Sequence, residues 1–258
     1  MAYIEINDVS KVYQRDGEPF HALSHVSLEI ERGEFICLLG PSGCGKTTLL
    51  NTLAGFEHPD EGRVLIGGEA VTEPVPNRVT IFQHYGLLPW QTVEKNVMLG
   101  LLAKKVPKEE ARAIASKYID LVGLSGFEHV RPAQLSGGMQ QRVSIARGLA
   151  VQPDVLFMDE PFAALDAITR LKMQDDIHRI AEEEEGVTVV FVTHDIEEAV
   201  ALADRIVVLT PNPGQVKEVV KVELGPDRLR TADDFLAVRD HVFDVFGMKP
   251  NWNVEYVI

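Results

Sequence analysis

Cysteine is nearly absent. Cys37 and Cys44 are the only two among 258 residues, too few for a disulfide framework or a thiolate metal cluster, so a reducing, cytoplasmic setting is expected. Apolar runs of membrane-spanning length are also missing. The longest, such as Val187 to Val192, fall far short of the roughly 20 residues that a membrane helix needs. No charged segment followed by an apolar stretch opens the chain at Met1, so no secretory leader is expected. Basic residues are few. Lys plus Arg number 25 against 39 Asp plus Glu, a formal net charge of −14, and so acidic a surface repels phosphate backbones, which excludes nucleic acid as a default partner. No repeat or low-complexity tract is present. The densest charge run, Glu182 to Glu185, reads as a solvated helix end.

What is present is a phosphate-binding loop. Gly40, Pro41, Ser42, Gly43, Cys44, Gly45, Lys46 and Thr47 fit G-x-x-x-x-G-K-[ST]. They lie between the apolar run Phe35 to Leu39 and the helical stretch that begins at Thr48. The glycines let backbone N–H groups turn inward around phosphate oxygens, and the helix N-terminus adds partial positive charge. Lys46 is placed to reach the β and γ phosphates and Thr47 to offer a hydroxyl to Mg²⁺. Binding of a nucleoside triphosphate follows. Cys44, beside Lys46 and a helix N-terminus, is expected to favour the thiolate and react first with a maleimide, whereas Cys37, inside a strand, is expected to be inert.

The pattern along the chain predicts an α/β fold, a phosphate-loop core with a mainly parallel sheet, an N-terminal antiparallel β lobe and a helical insert. Alternation at Ile4 and Ile6 and at Val26, Leu28 and Ile30 marks antiparallel strands, and Arg63 to Val71 forms a hairpin across Gly67-Gly68. Four non-alternating runs, Phe35 to Leu39, Val79 to Phe82, Val155 to Met158 and Val187 to Val192, read as strands buried on both faces. Helical spacing covers Thr92 to Lys104 and Pro107 to Val122, with Pro107 in the first turn and Gly123 at the C-cap. A turn at Pro211 to Gly214 precedes a strand through Val222 and a helix over Asp233 to Val245. The expected parts are residues 1–84 as the first part of the core with the β lobe, 85–150 as the helical insert, 151–222 as the second part of the core, and 223–258 as a tail.

Two further features carry chemistry. Val155 to Glu160 is an apolar strand ending in two carboxylates, which sets Asp159 at the sheet edge where such folds bind ligands and lets it hold Mg²⁺. Glu160, one residue on, can accept a proton from the water that attacks the γ-phosphate, a role worth about 10²–10⁴ in rate. Ser136, Gly137 and Gly138 open a helix that runs to Ala150. They form either a plain serine N-cap or a second anion site, which would serve a nucleotide held elsewhere.

The ordered set Gly40 to Thr47, Gln83, Leu135 to Gln141, Val155 to Glu160, Ala164-Leu165-Asp166 and His194 closely resembles the ATP-binding cassette ATPases over about residues 3 to 222. The resemblance implies ATP hydrolysis with Mg²⁺ and a head-to-tail pair of cassettes, each ATP lying between the phosphate loop of one and the Ser-Gly-Gly turn of the other. It further implies that Gln83 contacts Mg²⁺ and the attacking water, that His194 touches the γ-phosphate, and that Asp166 links the two sites. Tyr13 would stack on adenine, and Thr48 would join the phosphate contacts. The ordinary alternatives are that His194 caps the next helix and that Tyr13 merely packs.

Gln83 to Trp90, Asp159 to Ala167 and Thr193 to Ala199 are similar to importer ATPases of the nitrate, sulfonate and taurine group. That implies a separate membrane permease, an extracytoplasmic solute-binding protein, and a peripheral position on the cytoplasmic face of the plasma membrane. Leu87, Leu88 and Trp90 would then contribute to the permease groove, unless they pack inside the insert. A soluble cassette acting on nucleic acid or ribosomes is the alternative, disfavoured by the acidic balance and by the absence of a coiled-coil heptad run between Gln83 and Leu135. Two residues depart from the pattern, Ala163 where Gly is frequent and Gly148 where Ala is. Asn251-Trp-Asn253 in the tail carries no motif.

Overall fold

The structure, a computed structural model, describes residues 2–183, 187–225 and 228–247. The elements run β1 (Ile4–Arg15), β2 (Glu18–Ile30), β3 (Phe35–Leu39), α1 (Lys46–Ala54), β4 (Glu61–Ile66), β5 (Glu69–Ala70) and β6 (Arg78–Ile81). There follow α2 (Val93–Ala103), α3 (Lys108–Leu121), α4 (Gly137–Ala150), β7 (Val155–Asp159), α5 (Ala167–Glu183) and β8 (Thr188–Thr193). The last are α6 (Ile196–Leu202), β9 (Arg205–Leu209), β10 (Val216–Lys221) and α7 (Asp233–Val245). Helix α5 thus ends within the acidic run, whose side chains from Glu182 on lie outside the described residues, as does Asn251-Trp-Asn253.

Alternation builds the first sheet. Ile4 faces Ile30, Ile6 faces Leu28 and Val9 faces Val26 across β1 and β2, so one side of the antiparallel order β2-β1-β4-β5 is apolar and buried. A register shift between Ile6 and Val9, where Asp8 takes φ 55°, keeps both on that side. At the β4–β5 turn Gly67 and Gly68 have φ 62° and 82°, the pair of positive values that a two-residue hairpin of matching twist requires.

The second sheet has the order β10-β9-β3-β8-β7-β6. Strands β9, β3, β8, β7 and β6 are mutually parallel, and β10 closes the edge antiparallel. Its parallel part therefore contains a fifth strand, Arg205–Leu209, besides the four expected. Successive residues of β3 point to opposite sides and both sides are covered. Ile36 and Leu38 join α1 and the antiparallel sheet, and Phe35, Cys37 and Leu39 join the helices. This explains the unbroken apolar runs. Phe191, fully buried between Phe35 and Phe162 with ring centroids 5.9 and 5.5 Å away, contributes about 1.5–3 kcal/mol by its burial.

Thr92 caps α2 by accepting from the Lys95 N–H. Pro107 is the N-cap of α3, one residue ahead of the expected first turn, and Gly123 follows the C-cap residue Val122 with φ 66°, the left-handed closure that favours glycine. Helices α2, α3 and α4 pack on one another, and their apolar faces (Val97, Ile119, Val143) are continuous with the helix-covered side of the parallel sheet. Gly148 has a packing reason. A Cβ there would lie 3.0 and 3.1 Å from Cγ1 and Cδ1 of Ile81, so α4 approaches β6 closely and alanine would have to displace a buried side chain. Helix α7 seats Phe235, Val242 and Val245 on the same core.

Candidate functional site

Strand β3 delivers the chain to the phosphate loop, which α1 continues. Gly43 and Gly45 have φ 80° and 93°, the left-handed region open to glycine at little cost. At Gly45 a Cβ would meet the Ala22 carbonyl oxygen at 2.5 Å and Leu23 Cδ2 at 2.8 Å, so the loop packs against β2. Gly45 caps α1 without a side-chain acceptor, and no acidic residue stands in the first turn. The N–H groups of that turn face a site suited to an anion. Lys46 is buried beneath the loop, where its Nζ donates to the carbonyls of Gly40 at 2.7 Å and Pro41 at 3.0 Å.

Behind the loop, the Thr47 hydroxyl donates to Asp159 Oδ2 at 3.0 Å, with Oδ1 at 3.2 Å. Burial pushes the Asp159 carboxyl above its usual range. Glu160 adds to that shift, while the Thr47 hydrogen bond and Lys46 oppose it. A buried carboxylate in this state gains from a cation, and a hydroxyl with a carboxylate oxygen are hard donors of the kind Mg²⁺ takes.

Glu160 follows β7 with φ 46°, a backbone conformation that costs a non-glycine residue on the order of 1–3 kcal/mol. Its N–H donates to the Val192 carbonyl at 3.0 Å, which extends the β7–β8 pairing and holds the turn. The side chain meets His194, whose Nδ1 lies 3.2 Å from Glu160 Oε1. His194 itself follows β8. Parallel pairing of β7 with β8 therefore brings together two residues 34 apart in sequence.

A cavity of about 490 Å³ opens over the loop, lined by Tyr13, Arg15, Phe20, Ala22, Ser42, Gly43, Gly45, Lys46, Thr47, Thr48, Gln83 and Glu160. Its size suits a small-molecule ligand. Tyr13 and Gln83, both expected on resemblance, are thus at the same opening as the phosphate loop. Arg15 and Phe20 were not expected. Tyr13 pairs with Phe20 across the β1–β2 hairpin, so the register of that hairpin, turning at Gly17, is the signal that could have found Phe20. His194 does not line this cavity. It lines an adjoining one of about 110 Å³ with Glu160.

Ser136, Gly137, Gly138 and Asp166 do not line the cavity either. Ser136 caps α4, its hydroxyl accepting from the Met139 N–H at 3.3 Å. Both glycines approach neighbours within the chain closely. A Cβ on Gly137 would lie 2.8 Å from the Tyr85 hydroxyl, and one on Gly138 3.2 Å from the Ala164 carbonyl oxygen. Asp166 caps α5 by accepting from the Thr169 N–H at 3.0 Å, a bond that leads the causes holding its carboxyl below the usual range.

A phosphate loop, a strand-end Asp-Glu pair and a separate Ser-Gly-Gly helix start on this parallel sheet are the parts of one family, and the ABC transporter family model matches residues 23–163. The chain belongs to the ABC transporter ATPases. The cassette is 49% identical over 242 residues to an uncharacterised ABC transporter ATP-binding protein of Methanocaldococcus jannaschii, covering 94% of this chain and 90% of the relative. It is 44% identical to the bicarbonate transport ATP-binding protein CmpD of Synechocystis (94% and 88% covered). It is 43% identical to the nitrate import ATP-binding protein NrtD of Synechococcus elongatus (89% and 85% covered). Among solved structures it is similar to the ATP-binding cassette MJ0796, described as a dimer in a post-hydrolysis state bound to ADP and Pi. There the TM-score is 0.78 at 34% identity, with 86% of this chain and 100% of that one covered. The cassette binds and hydrolyses ATP.

Val79 to Phe82 is not buried on both faces as expected: β6 is the edge strand, where Val79 and Thr80 are half-buried, only Ile81 is buried and Phe82 is 39% exposed. The expectation for Cys44 is overturned too. Cys44 is not an exposed thiolate. It is 1% exposed, its side chain turned into the core beside the α1 leucines, and burial raises its thiol against the lowering influence of Lys46. What Cys44 presents to a phosphate is backbone. Cys37 is buried as expected, and its thiol is raised further. With thiolate fraction and access both small, neither cysteine should take up maleimide in the folded cassette on the timescale on which unfolded protein is fully labelled. Intact-mass measurement with and without denaturant checks this, and rapid native labelling at Cys44 would contradict the placement of its side chain.

Proposed function

We propose that the cassette is one of a pair of ATPase subunits that energise import of a small anion through a separate membrane permease on the cytoplasmic face of the plasma membrane. The observation that carries the mechanism is the 3.2 Å contact of Glu160 with His194 at the rim of a cavity floored by Lys46 and Thr47. In this reading Tyr13 stacks on adenine and the phosphate loop, residues 40–47, holds the phosphates together with Thr48. Lys46 exchanges the loop carbonyls for phosphate oxygens. Thr47, Asp159 and Gln83 hold Mg²⁺, which when bound neutralises charge on the β and γ phosphates. Glu160 takes the proton of the attacking water, and His194, on its other side, orients that carboxylate and meets the γ-phosphate.

Pairing is supported by the separation just described. Ser136, Gly137 and Gly138 form a helix start outside the chain's own cavity, as needed if they close the partner's ATP site with Asp166 between the two, and the similar solved cassettes are described as dimers. Anion import is supported by the relatives named for nitrate and bicarbonate. Alkanesulfonate and taurine remain within the same class of small anionic or zwitterionic solutes, delivered by a solute-binding protein. Action on nucleic acid finds no support in these relatives and is opposed by the net charge of −14. No helix among the described residues is long and apolar enough to cross a membrane, which is consistent with attachment through another chain.

The segment after Gln83 is the surface we assign to the permease. Asn96, wholly buried, accepts from the Leu88 N–H at 2.8 Å and donates to the carbonyls of Leu88, Gln91 and Thr92. Arg147 fixes the Gly86 and Tyr85 carbonyls at 2.7 and 3.0 Å. The loop is thus held in shape. Leu87 and Leu88 are both half-buried, Leu87 packing against the core, and Trp90 is 65% exposed. Trp90→Glu should leave the basal ATPase of the isolated cassette within about twofold, since surface changes away from buried groups cost little, and should abolish co-purification with the permease and solute-stimulated hydrolysis. Retained solute-driven transport in reconstituted vesicles would remove the segment from the docking surface.

A further inference from the structure

Glu198 is a carboxyl group only 7% exposed, on α6. Burying such a group is costly unless every oxygen is partnered, and an apolar residue would pack the helix as well. Its partners are few and specific. Oε2 accepts from the Thr193 hydroxyl at 2.7 Å and Oε1 from Gln174 Nε2 at 3.1 Å, with Arg170 Nε 3.8 Å away. The Thr193 oxygen also accepts from the Asp195 N–H at 3.0 Å. The residues on either side of His194 are therefore tied to one hydroxyl, and that hydroxyl is tied to Glu198. Arg170 in turn donates to the Leu165 carbonyl at 3.1 Å, beside Asp166. The 110 Å³ cavity touching Glu160 and His194 has Glu198 in its wall.

The chain of contacts continues outward. Gln174, 1% exposed on α5, accepts through Oε1 from Arg230 Nη2 at 2.5 Å, and Arg230 stands in the segment that leads into α7. We propose that Glu198 is a positioning residue for His194 and for the Asp166 loop, and that the C-terminal segment controls it through Arg230 and Gln174. The segment after β10, which has no part in the ATP cavity, thereby acquires a role. A partner or modification that moves Arg230 changes turnover without touching the nucleotide. The inference rests on the reading of Glu160 and His194 as the hydrolytic pair.

The test uses the full chain with Mg-ATP, measuring kcat, KM and the melting temperature of Thr193→Val and Arg230→Ala beside Thr193→Ser and Arg230→Lys. Thr193→Val keeps the β-branched shape and removes only the hydroxyl. It should lower kcat about tenfold, a loss of the size that small displacements of a reacting group produce, with KM unchanged, and Thr193→Ser should restore most of it. Arg230→Ala should lower kcat several-fold at unchanged KM and melting temperature, with partial recovery in Arg230→Lys. Glu160→Gln is measured alongside. If it abolishes turnover while Thr193→Val or Arg230→Ala keeps wild-type kcat, the positioning inference is overturned and the hydrolytic pair stands. Losses of kcat that only track a falling melting temperature, in the serine and lysine variants as much as in the others, overturn it too. Wild-type turnover in Glu160→Gln would remove the hydrolytic pair itself.

Discussion

Glu160→Gln should bind Mg-ATP about as tightly as the parent and turn it over about 10²-fold or more slowly. The expectation rests on how little else the change disturbs. Lys46 keeps its bonds to the Gly40 and Pro41 carbonyls and Thr47 its bond to Asp159, and glutamine has nearly the volume of glutamate. It can also remain 3.2 Å from His194 Nδ1 through an amide atom. The unusual backbone at position 160, φ 46°, is fixed by the Val192 carbonyl and by the adjoining strand rather than by the carboxylate. Only proton acceptance is lost. Because hydrolysis would be what releases an ATP-bound pair, the variant should also accumulate as a dimer in Mg-ATP. Single-turnover hydrolysis together with light scattering tests both halves, and near wild-type turnover would move the base to another residue.

The loop and the carboxylate pair were legible because each is a contiguous run whose geometry is local. Gly40 to Thr47 needs only its own glycines and the helix that follows, and Asp159 needs only to end a strand. The parallel sheet is legible from apolar runs, three of which are buried on both faces, whereas Arg205–Leu209, whose apolar core Ile206 to Leu209 is as long as Val155 to Met158, is masked by the turn signal that follows at Pro211. What could not be read was orientation. Residue type placed Cys44 beside Lys46, but the left-handed Gly43 and Gly45 on either side turn its thiol into the core. Pairings distant in sequence were equally hidden. Phe20 reaches the cavity only through a hairpin register interrupted by bulges. The path from Arg230 to Thr193 joins positions 56, 24 and 5 residues apart through side chains on α5 and α6, with no periodicity to announce it. Gln83 and His194 were named by resemblance alone. The sheet then set Gln83 on the cavity wall and His194 against Glu160, because β6, β7 and β8 are parallel neighbours that end at the same edge.

Ser136→Arg should abolish steady-state hydrolysis while leaving ATP binding to the chain's own phosphate loop intact. The arginine places a long side chain where a partner's γ-phosphate must approach the start of α4. It also removes the cap on the Met139 N–H, at a cost of about 1 kcal/mol. Ser136→Ala separates the two effects, since it loses the cap without adding bulk and should retain more activity than the arginine variant. The decisive arrangement is a mixture. In a two-fold pair of Ser136→Arg with Lys46→Ala chains, one composite site has an intact Lys46 from the first chain facing an intact Ser136 from the second, and the other site carries both lesions. Each parent alone should be inactive. If each site hydrolyses independently, an equal mixture should recover roughly a quarter of wild-type turnover, because half of the pairs are mixed and each holds one good site. Recovery would show that Ser136 acts on a nucleotide held by the other chain, as its place outside its own cavity requires. Mixed dimers that form in Mg-ATP yet stay inactive would return Ser136 to the role of a helix cap.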